Sequence, residues 1–301
     1  MSAANPESGT VTYSYDAAGN LQSRTDARGI VTTYSYDALN RLTSKTYSDG
    51  TPAVSYGYDA GQNGTGHLTS VSNANSTTNF LRFDSMGHVL ASNQVTAGQS
   101  YGFLYSYDLT GALKSEAYPS GRVVTTTYDG AGRPVTVSGS LNGQNTNYIT
   151  QAGYWPHGAL EDYWAGNGTV PVWHYNPRLQ MDAFWVTLHN DASSFLLNAW
   201  LRWGGTNNNG NLQSATFQAG GPGPLSALAT FNVSYSYDAA NRLTAVTDDG
   251  GWWRTFAYDA YGNLWVTGNG GVPLAGNTPT ADVYNGNNQI NGASYDAAGN
   301  Q

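Results

Sequence analysis

Nine of the seventeen aspartates recur in one local setting, at Asp16, Asp37, Asp59, Asp84, Asp108, Asp129, Asp238, Asp259 and Asp296. Each follows a tyrosine directly, except Asp84, which follows Phe83. Carboxylates in such number are the raw material of acid–base and metal chemistry. What stands three residues downstream argues for another role. Those positions are Gly19, Asn40, Gly87, Gly111, Gly132, Asn241, Gly262 and Gly299. Gly and Asn are the residues that most readily take a positive φ. Asp at the first position of a turn accepts a hydrogen bond from a backbone N–H two residues on. Asp-x-x-Gly/Asn therefore predicts a type I turn closed by a left-handed residue, a three-residue hairpin loop with a G1 bulge. Asp59 departs from the pattern, because "DAGQNGTGHL" inserts a longer loop.

The other candidate chemistry is weaker. "GQSYG" around Ser100 has the form of a nucleophile elbow, but that turn needs a strand running into a helix, and "FLYSYD" reads as a strand. The five histidines form no HExxH and no paired metal spacing. His67 and His88 fall just after repeat turns and are expected as exposed turn residues. "GNGGVPLAG" and "GGPGPL" lack the Walker lysine and read as loops. Acceptor sequons at Asn63, Asn75, Asn167 and Asn232 are expected by chance in a chain this rich in Gly, Asn and Thr. No catalytic residue, metal site or cofactor is assigned.

The elements that position the aspartates follow from alternation. Aromatic and polar residues alternate before the turns, as in Tyr13-Ser14-Tyr15, Tyr34-Ser35-Tyr36, Tyr105-Ser106-Tyr107, Tyr235-Ser236-Tyr237 and Phe256-Ala257-Tyr258. Period two puts both rings on one face of a strand. Five residues after the Asp, an apolar residue such as Leu21, Leu42, Leu113, Leu243 or Leu264 begins a return strand. A second turn signal follows, "TDARG", "YSDG", "YPSG" or "TDDGG". Tyr-Asp pairs stand 21 residues apart at 15 and 36, 107 and 128, and 237 and 258, with degenerate copies at Tyr154, Tyr175 and Tyr284 and one at Trp203 with a longer turn. The expected fold is all-β: an antiparallel meander of hairpins forming a curved or spiralling sheet, in which each hairpin needs its neighbours to stand. The sets Tyr15, Asp16, Gly19; Tyr36, Asp37, Asn40; Tyr107, Asp108, Gly111; Tyr237, Asp238, Asn241; and Tyr258, Asp259, Gly262 are its structural turns.

Composition excludes several roles. A net charge of −8 with 12 Lys and Arg leaves no basic patch for a phosphate backbone, so nucleic acid is not an expected partner. The absence of Cys rules out disulfide and thiolate chemistry. No run of eighteen apolar residues predicts a membrane span, and "MSAANPESGT" has no apolar core of a signal peptide.

"YSYDAAGNLQSRTDARGIVTTYSYDALNRLTSKT" and "YSYDAANRLTAVTDDGGWWRTFAYDAYGNLWV" resemble the YD-repeat, or Rhs-type, family. "YWPHGALEDYWAGNGTVPVWHYNPRLQ" is similar to a variant repeat of such proteins, and "YNGNNQINGASYDAAGNQ" to the stretch before the end of their repeat region. The resemblance covers about residues 10–301. It implies a sheet strip wound into a hollow shell. In bacterial toxin systems the shell encloses a C-terminal toxic polypeptide, and in animal teneurins a related barrel serves adhesion. Full shells use far more repeats, and the core-closing segment with DPxG motifs and self-cleaving aspartates is absent here. The chain is therefore expected to be a piece of a longer secreted or surface protein, with residues 1–9 a flexible lead and 10–301 one repeat array.

Residues 152–205 are atypical and rich in Trp. Trp155, Trp164, Trp173 and Trp185 are candidates for stacking on a glycan or for protein contact; the structural reading, filling a core or covering a rim, weighs more. The expected function is a non-enzymatic shell or scaffold module. Its expected partners are further YD repeats or a second copy, joined through sheet edges, with a glycan or protein ligand as the alternative.

Overall fold

The computed structural model describes residues 1–189, 191–206, 208–220, 229–276, 278–281 and 283–301. Among them there are strands and turns and no helix, so no helix is long and apolar enough to cross a membrane. The strands in chain order are β1 (Ser2–Asn5), β2 (Gly9–Tyr15), β3 (Leu21–Thr25), β4 (Val31–Tyr36), β5 (Leu42–Tyr47), β6 (Val54–Tyr58), β7 (Leu68–Ser72), β8 (Ser76–Phe83), β9 (Val89–Thr96), β10 (Gln99–Tyr107), β11 (Leu113–Ala117) and β12 (Val123–Tyr128). They continue as β13 (Pro134–Leu141), β14 (Gln144–Tyr154), β15 (Leu160–Ala165), β16 (Thr169–Tyr175), β17 (Met181–Leu188), β18 (Asp191–Arg202), β19 (Ser214–Ala219), β20 (Ala229–Tyr237), β21 (Leu243–Asp248), β22 (Trp253–Tyr258) and β23 (Leu264–Gly270). The segment "MDAFWVTLHNDASSFLLNAWLRW" is thus two strands, as its β-branched and aromatic content requires.

The chain divides into two compact units. One holds residues 1–126, 139–145 and 285–301; the other holds 127–138 and 146–284. In the first, β1 to β12 pair antiparallel with their sequence neighbours; in the second, β14 to β23 do the same. The first nine residues, set apart by the sequence reading, contribute β1, which pairs with β2 from Ser2 opposite Thr12 to Asn5 opposite Gly9.

One repeat register recurs along the chain. Tyr15 stands opposite Leu21, Tyr36 opposite Leu42, Tyr107 opposite Leu113 and Tyr237 opposite Leu243, with a bulge just before each Tyr. The Ser between two tyrosines faces a serine on the return strand at Ser14, Ser35 and Ser106, and Ala245 at Ser236. Ser14 and Ser23 are 2.7 Å apart, and Ser106 and Ser115 2.6 Å. In these hairpins one face is thus aromatic and the other carries hydroxyls. Among the described residues the buried apolar ones are few (Phe83, Ala91, Val170, Ala199, Ala215 and Val246), and no large side chain is fully buried. A single sheet layer of this kind is held by its ladder and by cross-strand pairs rather than by a thick core.

Candidate functional site

The candidate site is the turn that follows each Tyr-Asp pair. At Asp16 the backbone N–H donates to Asn20 O (2.9 Å), and Gly19 N–H donates to Asp16 O (3.1 Å). The carboxylate Oδ1 accepts from the N–H groups of Ala18 (2.9 Å) and Asn20 (2.8 Å). Two donors meet one oxygen, which the expected Asx turn alone does not require. The same pair of acceptances occurs at Asp37, Asp84, Asp108, Asp129, Asp238, Asp259 and Asp296. The third residue is left-handed, with φ +86° at Gly19 and Gly111, +60° at Asn40, +61° at Asn241 and +89° at Gly262. Asp59, before its longer loop, itself takes φ +66° and accepts Gly66 N–H at 2.6 Å.

Asp59 apart, and except where it is Ala112, the fourth residue after the Asp ties back to its own turn, and as Arg or His it also reaches the next repeat. Its side chain donates to the second carboxylate oxygen. Asn20 Nδ2 reaches Asp16 Oδ2 (3.0 Å), Arg41 Nε reaches Asp37 (2.8 Å), Arg133 Nε reaches Asp129 (2.8 Å) and Arg242 Nε reaches Asp238 (2.7 Å). His88 Nδ1 lies 2.9 Å from Asp84 Oδ2. Where it is Arg or His, the same side chain then covers the aromatic ring of the next repeat. Arg41 lies 4.4 Å over the Tyr58 ring, Arg133 4.6 Å over Tyr154 and Arg242 4.5 Å over Tyr258. The histidines stack instead, His67 on Phe83 and His88 on Tyr107, each with centroids 4.7 Å apart. Both are half-buried against those rings, which corrects the expectation of exposed turn residues. A guanidinium or imidazole over a ring gains the face attraction while its edge keeps the carboxylate.

The covered tyrosine closes the link. Tyr36 Oη donates to Leu21 O (3.0 Å), Tyr58 to Leu42 O (2.9 Å), Tyr154 to Pro134 O (2.6 Å), Tyr237 to Leu212 O (3.0 Å) and Tyr258 to Leu243 O (2.9 Å). Leu21, Leu42, Pro134 and Leu243 each begin the return strand of the preceding repeat, and Leu212 lies just before β19. Tyr15 is 47% exposed. Trp203 takes the same place, its Nε1–H donating to Met181 O at 2.8 Å.

The electrostatics agree with this geometry. Donation from Arg41 holds Asp59 at about 2. Asp16 is lowered by the Asn20 side chain, Asp37 by the Arg41 backbone N–H, Asp84 by His88 and Asp129 by the Arg133 side chain. A carboxylate stabilised as the anion by its own turn is a poor proton carrier at neutral pH. Among the described residues no group of three His, Asp or Glu is placed to hold a metal.

The remaining candidates are dispersed. Ser100 lies in β10 with its Oγ donating to Asn93 Oδ1 (3.1 Å). Trp155, Trp164, Trp173 and Trp185 are all half-buried. Trp155 donates from Nε1 to Trp173 O (2.9 Å), Trp173 packs on Phe184 (5.3 Å) and Trp164 meets His189 edge-on (4.0 Å). Only Trp185 of the four lines the apolar groove of about 500 Å³ formed with Phe195, Asn198, Trp200 and Gln218. Sequence reasoning missed the residue that follows the left-handed position. Its type varies among Asn, Arg and His, with Ala112 the exception, but the pattern of a donor side chain just before the return strand carried the signal.

Residues 2–30, 15–52, 107–142 and 237–271 match the RHS repeat family. No curated protein matches the chain. The fold is similar to that of TcdB2-TccC3 (TM-score 0.77, 17% identity over 88% of this chain) and of TcdB2-TccC3-Cdc42 (0.76, 18% over 88%). It is also similar to the Tc holotoxin pore of Photorhabdus luminescens (0.68, 15% over 98%). The chain spans 15–17% of the length of these structures.

Proposed function

The chain is a repeat protein of the Rhs type, and from that premise we propose that it is a non-catalytic wall segment, part of the enclosure a longer secreted or surface chain builds. The observation that carries this reading is the fate of the repeated aspartates. Each one accepts N–H donation from its own turn, and Asp37, Asp84, Asp129 and Asp238 also hold the side chain that covers the next ring. The carboxylates and aromatics that suggest chemistry are occupied in joining repeat to repeat. The likeness to toxin-complex structures supports an enclosing role.

Assembly through sheet edges belongs to the same proposal. Among the described residues β1 has one strand partner, β2, and β23 has one, β22. Unpaired strand edges template the addition of further strands. Light scattering followed by electron microscopy of the purified chain tests it. Concentration-dependent arcs, rings or fibres are expected. A strictly monomeric species at high concentration overturns the assembly reading.

A further inference from the structure

Within the first unit, residues 285–301 lie against the first repeat. Asn288 Nδ2 donates to Glu7 Oε1 (2.5 Å) and Gln289 Nε2 to Glu7 O (3.2 Å). Arg28, already paired with Asp26 at 2.6 Å, reaches Asp296 at 3.4 Å. The fit is close enough to exclude a methyl group on both sides. A Cβ on Gly9 would sit 2.7 Å from Ala297 O and 2.6 Å from the Ala27 Cβ, and one on Gly299 would collide with Glu7 O. The docked element is a complete Tyr-Asp turn, with Asp296 N–H donating to Asn300 O and Gly299 at φ +80°. Unlike the turns of the array, it has no strand on either side among the described residues. Its place is therefore held by what it touches rather than by a hairpin.

We propose that Asn5–Gly9 together with Asp26–Arg28 form a docking site for a Tyr-Asp-x-x-Gly turn. Residues 285–300 fill it within the chain, and the same residues of a second copy fill it when the resident turn is released. The polar contacts are exposed and few, so exchange is accessible. Glu7 and Arg28 supply the polarity, an acceptor for side-chain amides and a cation for the turn's own carboxylate. The paired glycines supply the selectivity for a bare backbone.

The test uses the full chain carrying Gly299→Val, which releases its own turn while altering a segment outside the strand array. Unchanged circular dichroism checks the repeats. A fluorescent peptide of residues 285–301 is titrated onto it and followed by anisotropy. The peptide is expected to bind this variant and to bind the unaltered chain about tenfold or more weakly, because the resident turn competes at high effective concentration. A peptide carrying Gly299→Val is expected not to bind. Arg28→Ala added to the receiving chain is expected to weaken binding about two- to fivefold, the range for an exposed ion pair. Equal binding to the variant and the unaltered chain, equal binding of the two peptides, or no binding to the variant overturns the proposal.

Discussion

The repeats at Asp37 and Asp238 and the stretch from Trp155 to Trp203 build one geometry out of different atoms. In the first, a carboxylate accepts the turn's N–H groups, Asn supplies the left-handed residue, and Arg covers the next tyrosine. In the second, Asn176 stands in for Asp, its Oδ1 accepting the N–H groups of Arg178 (2.8 Å) and Gln180 (3.1 Å). At the left-handed position stands Leu179, with φ +62°. Trp155 opens its turn with no side-chain acceptor, and Gly158 closes it at φ +92°. Trp203 delivers an indole N–H where other repeats deliver a phenol. Backbone geometry and one donor aimed at the preceding repeat are common to both regions. The carboxylate and the cation are replaceable.

Acid separates the two most strongly. The repeat aspartates are held below the usual carboxylate range, so their stabilisation is fully present above about pH 4, the unfolded value, and is lost as pH falls through the folded values, about 2 at Asp59. Hydrogen exchange at pH 3 is expected to rise at the turns after Asp37 and Asp238 and to stay unchanged at those after Trp155 and Asn176. A uniform rise breaks the comparison.

Gly87→Ala is next. It forces an L side chain to φ +88° and drives its Cβ to 2.8 Å from the His67 ring, so a cost of about 1–2 kcal/mol or more in urea unfolding is expected.

Tyr36→Phe and Trp203→Phe remove the two kinds of inter-repeat donor. Each is expected to cost about 1 kcal/mol, the ordinary value of one hydrogen bond. A neutral Trp203→Phe would mean that the indole only fills space. The smallest effect runs the other way. Leu179 is exposed and left-handed, so Leu179→Gly is expected to stabilise by about 0.5–1 kcal/mol, the strain relieved less the backbone entropy of glycine.

The strands and turns were legible because both are local. Alternation reads a strand within five residues, and Asp-x-x-Gly/Asn reads a left-handed closure within four. The link between repeats was not legible. Its acceptors, such as Leu21 O and Met181 O, are backbone atoms that every residue carries. Its donors, Tyr36 and Trp203, lie 15 and 22 residues further on. The fourth residue escaped notice because Asn20, Arg41 and His88 share a function, donation plus a flat face, and not a type. The contact of Glu7 with Asn288 spans 281 residues and leaves no periodic trace.

The central claim is that these turns couple neighbouring repeats, which makes the aspartates architectural. Hydrogen exchange of the Arg41→Ala chain tests it most directly, since Arg41 joins the turn at Asp37 to Asp59 (2.6 Å) and to the Tyr58 ring. Protection is expected to fall in β6–β7 as well as in β4–β5. A loss confined to β4–β5 would contradict the claim.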